Sequence, residues 1–548
     1  MSDRSRRGLE ACVIALAVLV LLALTAHQYG LGYDEPVYMS RAQDAARWLS
    51  LLVRTPAQAL DEVAITRYWR AEDQQPGFVK LAGAVGMSVA APVLPALGAL
   101  RAGALVLAAA LAASLYLFVA SVWGRAEGVA AVGALLTMPR VFAHSHLLAL
   151  DAPVMAATFI TLHLLFLTAR DRSWGWAALA GVAWGIALGC KVNAFFVPVI
   201  ALPWMLLCAR DAVLPALVCG AALGPATFLA TWPWLWHDTW ARLLEYLGFH
   251  FQHWQIEVTY FGRKYAPAPW HYPIVMSVIT MPPATMAAAL VGAWRMICTR
   301  TAAAGRPSWR ERWQDPAWQR RAAGALVAWG LAVNYLFASL PSTPKYTGCR
   351  LFLPVFPFIA VAAGVGIGWL ARVAGGWIAA RGLDEPGTSR RVGIALVILV
   401  ALVGPLRSVA DFYPHELSYY NTLIGGLPGA AARGMEVTYW GETYLDAALW
   451  LNRNAPRGAI AWIEPPGCEA TMWVYRDLGI LRRDIRTTSG PLGLRHADYA
   501  IFQNKVTEFS EHARRLLAER ESRPGGIVPL HGVPLLYVFE MDREGVSP

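Results

Sequence analysis

The chain has 548 residues, of which 56% are hydrophobic and only 15% carry a charged side chain. Because soluble globular proteins carry about 25% charged residues, this composition excludes an ordinary soluble domain and indicates a membrane protein. The formal net charge of +10 does not indicate nucleic-acid binding, because the basic residues gather between apolar segments, as in the cytoplasmic loops of membrane proteins.

Membrane-spanning helices need roughly 20 consecutive, mostly apolar residues. Segments of this kind begin near residues 10, 102, 128, 153, 174, 194, 212, 273, 322, 351 and 392. We therefore predict an all-α polytopic membrane protein with about 11 transmembrane helices.

The arginines between these segments predict their orientation. If the N-terminus is cytoplasmic, then Arg125, Arg170, Arg210 and the arginine-rich stretches 295–321 and 372–391 all fall on the cytoplasmic side, as the positive-inside rule requires. This predicts a multi-pass protein of the plasma (inner) membrane in which the chain after residue 411 lies outside the cytoplasm.

A further apolar segment, residues 78–100, would reverse this parity if it crossed the membrane. Pro92, Pro95 and several glycines interrupt it, and interrupted backbone is tolerated at membrane depth only where protein or water surrounds it. We therefore expect an embedded, non-spanning part of a long first outer loop, residues 27–100.

The composition changes near residue 411, and the chain beyond residue 440 contains no spanning run. Its alternating apolar residues predict strands at 458–463, 498–502 and 534–539 and helices at 446–452 and 508–519. The chain thus divides into a transmembrane catalytic domain, residues 1–410, and a small C-terminal α/β extracytoplasmic domain, residues 411–548.

Acidic residues at two places on the predicted outer face are candidates for catalysis. Asp34 and Glu35 follow the first apolar segment, and Asp151 begins another. Each place has a structural alternative, because carboxylates favour helix N-termini and an Asp before Ala-Pro is a good N-cap. The functional interpretation is that one of these carboxylates is a general base.

Two histidines, His144 and His146, lie close to Asp151 in the sequence, and His271 follows a later aromatic stretch. Two histidines at this spacing do not define a metal site without a third ligand at recognisable spacing. We expect hydrogen bonds from the histidines to the donor or acceptor, and we predict neither a metal nor another cofactor.

Cations also fall on the predicted outer face, where the positive-inside rule does not account for them: Lys80, Lys191, Arg263, Lys345 and Arg350. Lysine and arginine bind phosphate through charge-assisted hydrogen bonds. A lipid headgroup contact or snorkelling explains any single one equally well. Cations and carboxylates on one face together favour the transfer of a sugar from an anionic lipid carrier.

At these residues the sequence resembles the GT-C membrane glycosyltransferases, in particular the protein O-mannosyltransferases and the aminoarabinose transferases of lipid A. The similar segments are residues 33–38, 75–80, 150–153 and 350–357, and together they extend over residues 10–370. The resemblance implies an inverting transfer from a polyprenyl-phosphate-linked sugar to an extracytoplasmic hydroxyl of a protein, lipid or glycan.

The resemblance also implies roles for individual residues. Asp34 corresponds to the acidic residue of the family's first loop, with Glu35 supporting it, and Asp151 corresponds to the second acidic position. Lys80 corresponds to a lysine near the donor phosphate, and Arg350 is a second phosphate ligand.

The sequence departs from the family pattern in this first loop. Gln75 stands where the family often has histidine, Gly77 replaces a proline, and Val79 replaces a glutamate that bears on a metal site in the aminoarabinose transferases. Residues 418–426 and 439–442 resemble the tail of a bacterial subgroup, for which acceptor contact and domain docking are equally open roles.

Two other functions fit a polytopic membrane protein. A transporter or flippase of a lipid-linked substrate would carry charges near the middle of the membrane, whereas here the polar residues lie at one end of the apolar segments. A non-catalytic membrane scaffold has no need for Asp34, Asp151 and Lys80 together.

Overall fold

The computed structural model describes residues 2–69, 75–252, 255–298, 309–379, 386–520 and 526–541. The N-terminal half of the chain forms helices α1 (Asp3–Thr25), α2 (Glu35–Arg54), α3 (Pro56–Ala59), α4 (Glu62–Trp69), α5 (Phe78–Ala90), α6 (Ala96–Val122), α7 (Arg125–Leu136), α8 (Pro139–His144), α9 (Asp151–Asp171), α10 (Trp174–Cys190), α11 (Val197–Cys208), α12 (Val213–Thr231) and α13 (Thr239–Phe251). The C-terminal half forms α14 (Tyr272–Ile279), α15 (Pro283–Ile297), α16 (Trp309–Arg312), α17 (Pro316–Ser339), α18 (Phe356–Ala379), α19 (Pro386–Phe412), α20 (Gly426–Ala432), α21 (Tyr444–Asn454), α22 (Glu469–Asp477), α23 (Gly490–Leu494) and α24 (Glu511–Arg520).

The predicted multi-span helical fold is confirmed, but the predicted count of spans is not. Among the described residues, seven helical segments are long and apolar enough to cross a membrane, and they contain α1, α6, α9, α12, α17, α18 and α19. The pair α14 and α15, bent by 116°, makes an eighth if it forms one span. The segments that begin near residues 128, 174 and 194 are helical but shorter, and α10, for example, has 17 residues. At 1.5 Å per residue such a helix covers about 26 Å of a hydrocarbon core roughly 30 Å thick.

The sharp bend between α14 and α15 is held by a residue from the C-terminal part of the chain. The Asn421 side-chain amide donates hydrogen bonds to the carbonyl oxygens of Val278 (2.6 Å) and Met281 (2.7 Å), and its backbone N–H donates to Ile279 (2.9 Å). These bonds satisfy carbonyl groups that the broken helix leaves free, as a helix break within a membrane requires.

Helix α5 has 13 residues and covers about 20 Å, which is too short to cross a bilayer. It packs closely along α6. A Cβ atom at Gly86 would lie 2.3 Å from the backbone nitrogen of Gly103, so both positions need glycine. This agrees with the expected embedded segment, whose position relative to the membrane stays a prediction.

The arginines of the predicted cytoplasmic connections form ion pairs at one end of the helix bundle. Arg125 pairs with Asp3, Arg172 with Asp211, and Arg372 with Glu127. Arg4 lies 3.8 Å from Asp171. Part of the two longest arginine-rich stretches, residues 299–308 and 380–385, lies outside the described residues.

The predicted C-terminal α/β structure is confirmed. After a hairpin of β1 (Val258–Tyr260) and β2 (Arg263–Tyr265), the chain forms β3 (Ile460–Glu464), β4 (Arg486–Thr488), β5 (Tyr499–Gln503), β6 (Gly526–Leu530) and β7 (Val533–Glu540). The last five make one sheet of order β4-β3-β5-β7-β6, in which β3 is parallel to β4 and β5, and β7 is antiparallel to β5 and β6. One hydrophobic core extends from the membrane helices into this sheet. The boundary at residue 410 stays a prediction.

Candidate active site

Four charged side chains from distant parts of the sequence meet at the end of the bundle opposite the arginine-rich ion pairs. Arg350 Nη1 donates to Asp34 Oδ2 (2.5 Å), and Arg350 Nε lies 3.7 Å from Asp151 Oδ2. Lys191 Nζ donates to Asp151 Oδ1. We call these four residues the quartet, and its two carboxylates balance its two cations.

Helix ends place each member of the quartet. Asp34 immediately precedes α2, Asp151 is the first residue of α9, Lys191 follows the last residue of α10, and Arg350 begins a short 3₁₀ helix before α18. Carboxylates at helix N-termini and a cation at a C-terminus are favoured by the helix dipoles. Asp34 is the N-cap residue of α2 but makes no side-chain capping hydrogen bond, and the N-cap residue of α9 is Leu150, one position before Asp151, so simple capping explains neither carboxylate.

The quartet is open on the side of Asp34. The Asp34 side chain is 34% exposed, whereas those of Asp151 (6%) and Arg350 (9%) are buried. Of the two carboxylates, Asp34 is therefore the one that a molecule arriving from outside the bundle can reach.

Glu35 points away from this opening and is fully engaged. Its carboxylate accepts hydrogen bonds from Arg101 Nε (2.9 Å) and Nη2 (2.6 Å) and from the backbone N–H groups of Gly32 (2.8 Å) and Leu148 (2.7 Å). Glu35 and Arg101 are both completely buried. Glu35 therefore joins the first loop to the segment that leads into Asp151, and this geometry suits positioning of Asp34 better than direct chemistry.

Lys80 lies in the first turn of α5. It is buried, and its Nζ donates to the Gln75 carbonyl oxygen (2.9 Å). The start of α5 packs where α10 and α12 end. A Cβ atom at Gly77 would lie 2.5 Å from the Thr231 carbonyl oxygen, and one at Gly189 would lie 2.9 Å from Phe78 Cβ. This contact leaves no room for a side chain at Gly77.

The structure does not bring every predicted phosphate ligand to the quartet. Lys345 Nζ donates to the carbonyl oxygens of Leu340 (2.6 Å) and Thr343 (2.8 Å), and burial lowers its pKa. Lys345 therefore holds its own loop together. Arg263 is exposed on β2, in a hairpin that contacts Gly434 and Thr507, and no contact with the quartet is found among its described neighbours.

The three predicted histidines occupy different surroundings. His144 Nε2 lies 3.1 Å from the Tyr439 hydroxyl, and burial lowers the pKa of His144 to about 3, so that its ring is neutral at pH 7. His146 bonds Thr25 and the Phe142 carbonyl, both at 2.8 Å, and is a core residue. His271 Nδ1 bonds the Tyr260 hydroxyl (3.1 Å) in the hairpin region. Only His144 lies beside the quartet.

Several residues of this region were not predicted from the sequence. Arg101 lies in the otherwise apolar helix α6. A charged residue in such a helix usually has a functional or structural role, so the sequence alone could have identified Arg101 as a candidate. Arg140 donates to the Tyr419 carbonyl oxygen (3.1 Å) and lies over the Tyr420 ring. The rings of Tyr346 and Trp440 face Arg350. Of the two, only Trp440 lies in a segment with a family resemblance, residues 439–442.

Comparison with known proteins supports the same family. Residues 96–236 match the family model described as dolichyl-phosphate-mannose-protein mannosyltransferase, which confirms the predicted resemblance to the GT-C membrane glycosyltransferases. No curated protein sequence matches the chain.

The solved structures to which the chain is similar are distant in sequence. ArnT from Cupriavidus metallidurans in the apo state is 15% identical, with a TM-score of 0.49 and coverage of 96% of this chain and 97% of that chain. ArnT bound to undecaprenyl phosphate is 14% identical, with a TM-score of 0.49 and coverage of 98% and 99%. The archaeal oligosaccharyltransferase AglB from Archaeoglobus fulgidus, in complex with an inhibitory peptide and a dolichol-phosphate, is 11% identical, with a TM-score of 0.46 and coverage of 89% and 69%.

Proposed function

We propose that this protein is a GT-C membrane glycosyltransferase that moves a hexosyl or pentosyl group from a polyprenyl-phosphate donor to an extracytoplasmic hydroxyl, with inversion. The observation that carries this proposal is the quartet. Its carboxylate Asp34 is partly exposed and pairs with Arg350, and a second cation, Lys191, pairs with the neighbouring carboxylate Asp151. The family match over residues 96–236 supports the same class of reaction.

The proposed reaction needs one base and one place for a leaving phosphate. The acceptor oxygen attacks the anomeric carbon of the sugar as the bond from that carbon to the phosphate oxygen breaks. The acceptor proton passes to the Asp34 carboxylate, and the polyprenyl monophosphate leaves with the electron pair of the broken bond. A carboxylate in hydrogen-bond reach of the acceptor suits this general-base role.

We assign the leaving phosphate to Lys80, Lys191 and Arg350. Cations that meet a phosphate as it gains charge stabilise the transition state more than the ground state. Before the donor arrives, Lys191 and Arg350 are balanced by Asp151 and Asp34. Asp151 therefore keeps both cations in place without having to react.

The function is tested by the transfer of label from a polyprenyl-phosphate-linked radioactive sugar to envelope extract, using purified protein. Asp151→Asn should lower the transfer rate at least about 10-fold, because the unbalanced Lys191 and Arg350 move apart. Asp171→Asn changes the same residue type at the other end of the same helix, where Asp171 pairs with Arg170, and should stay within about 2-fold of the wild type. Wild-type protein that transfers none of a panel of such sugars would contradict the proposal, as would full activity of Asp151→Asn.

We further propose that the quartet and the C-terminal α/β domain face the outside of the plasma membrane. The support is the gathering of the arginine connections at the opposite end of the bundle, which the positive-inside rule assigns to the cytoplasm.

Thiol labelling of intact cells tests this orientation. Because Cys12 and Cys298 are exposed, both are first replaced by alanine. An impermeant maleimide should then label Asp34→Cys but not Arg310→Cys, and both should react after the cells are permeabilised. Labelling of position 310 alone in intact cells would reverse the orientation.

A further inference from the structure

The C-terminal domain reaches the quartet through residues 439–442, which we call the Trp440 segment. The Tyr33 backbone N–H donates to the Trp440 carbonyl oxygen (2.6 Å). A Cβ atom at Gly30 would lie 1.7 Å from the Glu442 carbonyl oxygen. The segment therefore lies directly on the loop that carries Asp34, and a larger residue at position 30 would force them apart.

The Trp440 side chain packs against one member of the quartet, Arg350. Its ring centroid lies 4.7 Å from the Arg350 guanidinium carbon, and the Tyr346 ring lies 5.6 Å from the same atom. Both distances are within the range of cation–π contacts. Trp440 is 2% exposed, and its ring also lies 5.4 Å from that of His144.

The position of the Arg350 guanidinium decides whether one or both carboxylate oxygens of Asp34 are occupied by hydrogen bonds. In the described structure one N–H group of Arg350 binds Asp34 Oδ2, and Arg350 Nε remains near Asp151. Arginine and carboxylate readily form a two-pronged pair that uses both carboxylate oxygens. A guanidinium free to turn would form that pair with Asp34 and occupy both of the oxygens that could take the acceptor proton.

We propose that Trp440 is a positioning residue of the transfer reaction, because its ring holds the Arg350 guanidinium between Asp34 and Asp151 and so keeps Asp34 available as a base. This inference rests on the function proposed above. It also gives the C-terminal domain a part in the reaction: the Gly441 N–H donates to Gln503 Oε1 (3.0 Å) at the end of β5, which ties the Trp440 segment to the sheet.

The test compares steady-state transfer by Trp440→Leu, which removes the aromatic face, with Trp440→Phe, which keeps it. Trp440→Leu should lower kcat at least about 10-fold with less than about a 3-fold change in the donor KM, and Trp440→Phe should keep at least about a third of wild-type kcat. The matched control is Trp473→Leu, because Trp473 belongs to the same domain but is 48% exposed and bonds only Thr487 in the described structure. Its kcat should not change.

A double-mutant cycle with Arg350→Lys separates positioning from packing. If Trp440 acts through Arg350, then Trp440→Leu should cost less than about 2-fold in kcat in the Arg350→Lys background. Equal losses in both backgrounds would overturn the inference, and so would a folded Trp440→Leu with wild-type kcat. If Trp440→Leu does not fold, a folded Trp440→Phe that loses more than about 10-fold overturns it, since the aromatic face is present.

A readout that does not depend on activity keeps the inference distinct from the proposed function. In a cryo-EM structure of Trp440→Leu, or of Trp440→Ala if only that variant folds, the Arg350 guanidinium should have left its place between the two carboxylates. If it has not moved, the inference fails even when transfer is observed. If wild-type protein transfers no sugar but the guanidinium moves, only the proposed function fails.

Discussion

Asp34→Asn should lower the rate of sugar transfer by at least about 100-fold, because a general base typically contributes a factor of about 10²–10⁴. Asparagine has nearly the same shape and still accepts a hydrogen bond from Arg350, but it takes up no proton. Since the Asp34 side chain is 34% exposed, the substitution should leave the fold intact. The measurement is transfer of label from a polyprenyl-phosphate sugar, with size-exclusion profile and thermal unfolding midpoint as checks of folding.

The matched control for this prediction is Asp44→Asn in the same helix, α2. Asp44 pairs with Arg41 and Arg47, away from the quartet in sequence and in its contacts. Its loss should change the transfer rate by less than about 2-fold, as for other surface ion pairs. Folded Asp34→Asn with wild-type transfer would remove Asp34 as the base and leave Asp151, the other carboxylate of the quartet, to be tested in that role.

Arg101→Met should have the largest effect on stability of any single substitution considered, lowering the free energy of unfolding by about 3–5 kcal/mol. Arg101 and Glu35 are both fully buried, and Arg101 also donates to the carbonyl oxygens of Ala26 (2.7 Å), Tyr29 (2.8 Å) and Gly30 (3.0 Å). Removal of the guanidinium leaves a buried carboxylate without its counter-charge and three carbonyl groups without a donor. The midpoint of thermal unfolding in detergent should fall by several degrees.

Two further variants show whether the buried charge is the cause. Arg407→Met breaks an exposed pair with Asp411 and should leave the midpoint nearly unchanged, because exposed pairs contribute only about 0–1 kcal/mol. Glu35→Gln combined with Arg101→Met should recover part of the loss, since no buried charge then remains. An equal midpoint for Arg101→Met and Arg407→Met would show that the pair does not hold this loop.

Three strands and two helices of the C-terminal domain could be predicted because each of them has its own local pattern. The alternation of apolar residues identified β3, β5 and β7. β4 has only three residues, Arg486–Thr488, which is too short for any periodicity to be visible. β6, Gly526–Leu530, contains a glycine and a proline, which strands usually lack.

The candidate site was predictable in its residue types but not in its geometry. Asp34, Asp151, Lys191 and Arg350 each stand at a helix end that the sequence marks, so their gathering at one end follows from topology alone. Which cation pairs with which carboxylate depends on distances across 316 residues of sequence, as between Asp34 and Arg350, and no local pattern carries that information. The division of labour between Asp34, which is open, and Glu35, which is sealed by Arg101, was hidden for the same reason.

The contact of the Trp440 segment with the first loop has a consequence for how the protein is made. Domains generally fold as units, from the N-terminus onward, during synthesis. All four residues of the quartet precede Trp440 in the chain, so every charged group of the quartet is synthesised before the indole ring that packs on Arg350. A nascent or prematurely ended chain would thus contain the quartet residues while the loop around Asp34 lacks its contact with the Trp440 segment. The site would be complete only once the C-terminal domain had folded against this loop.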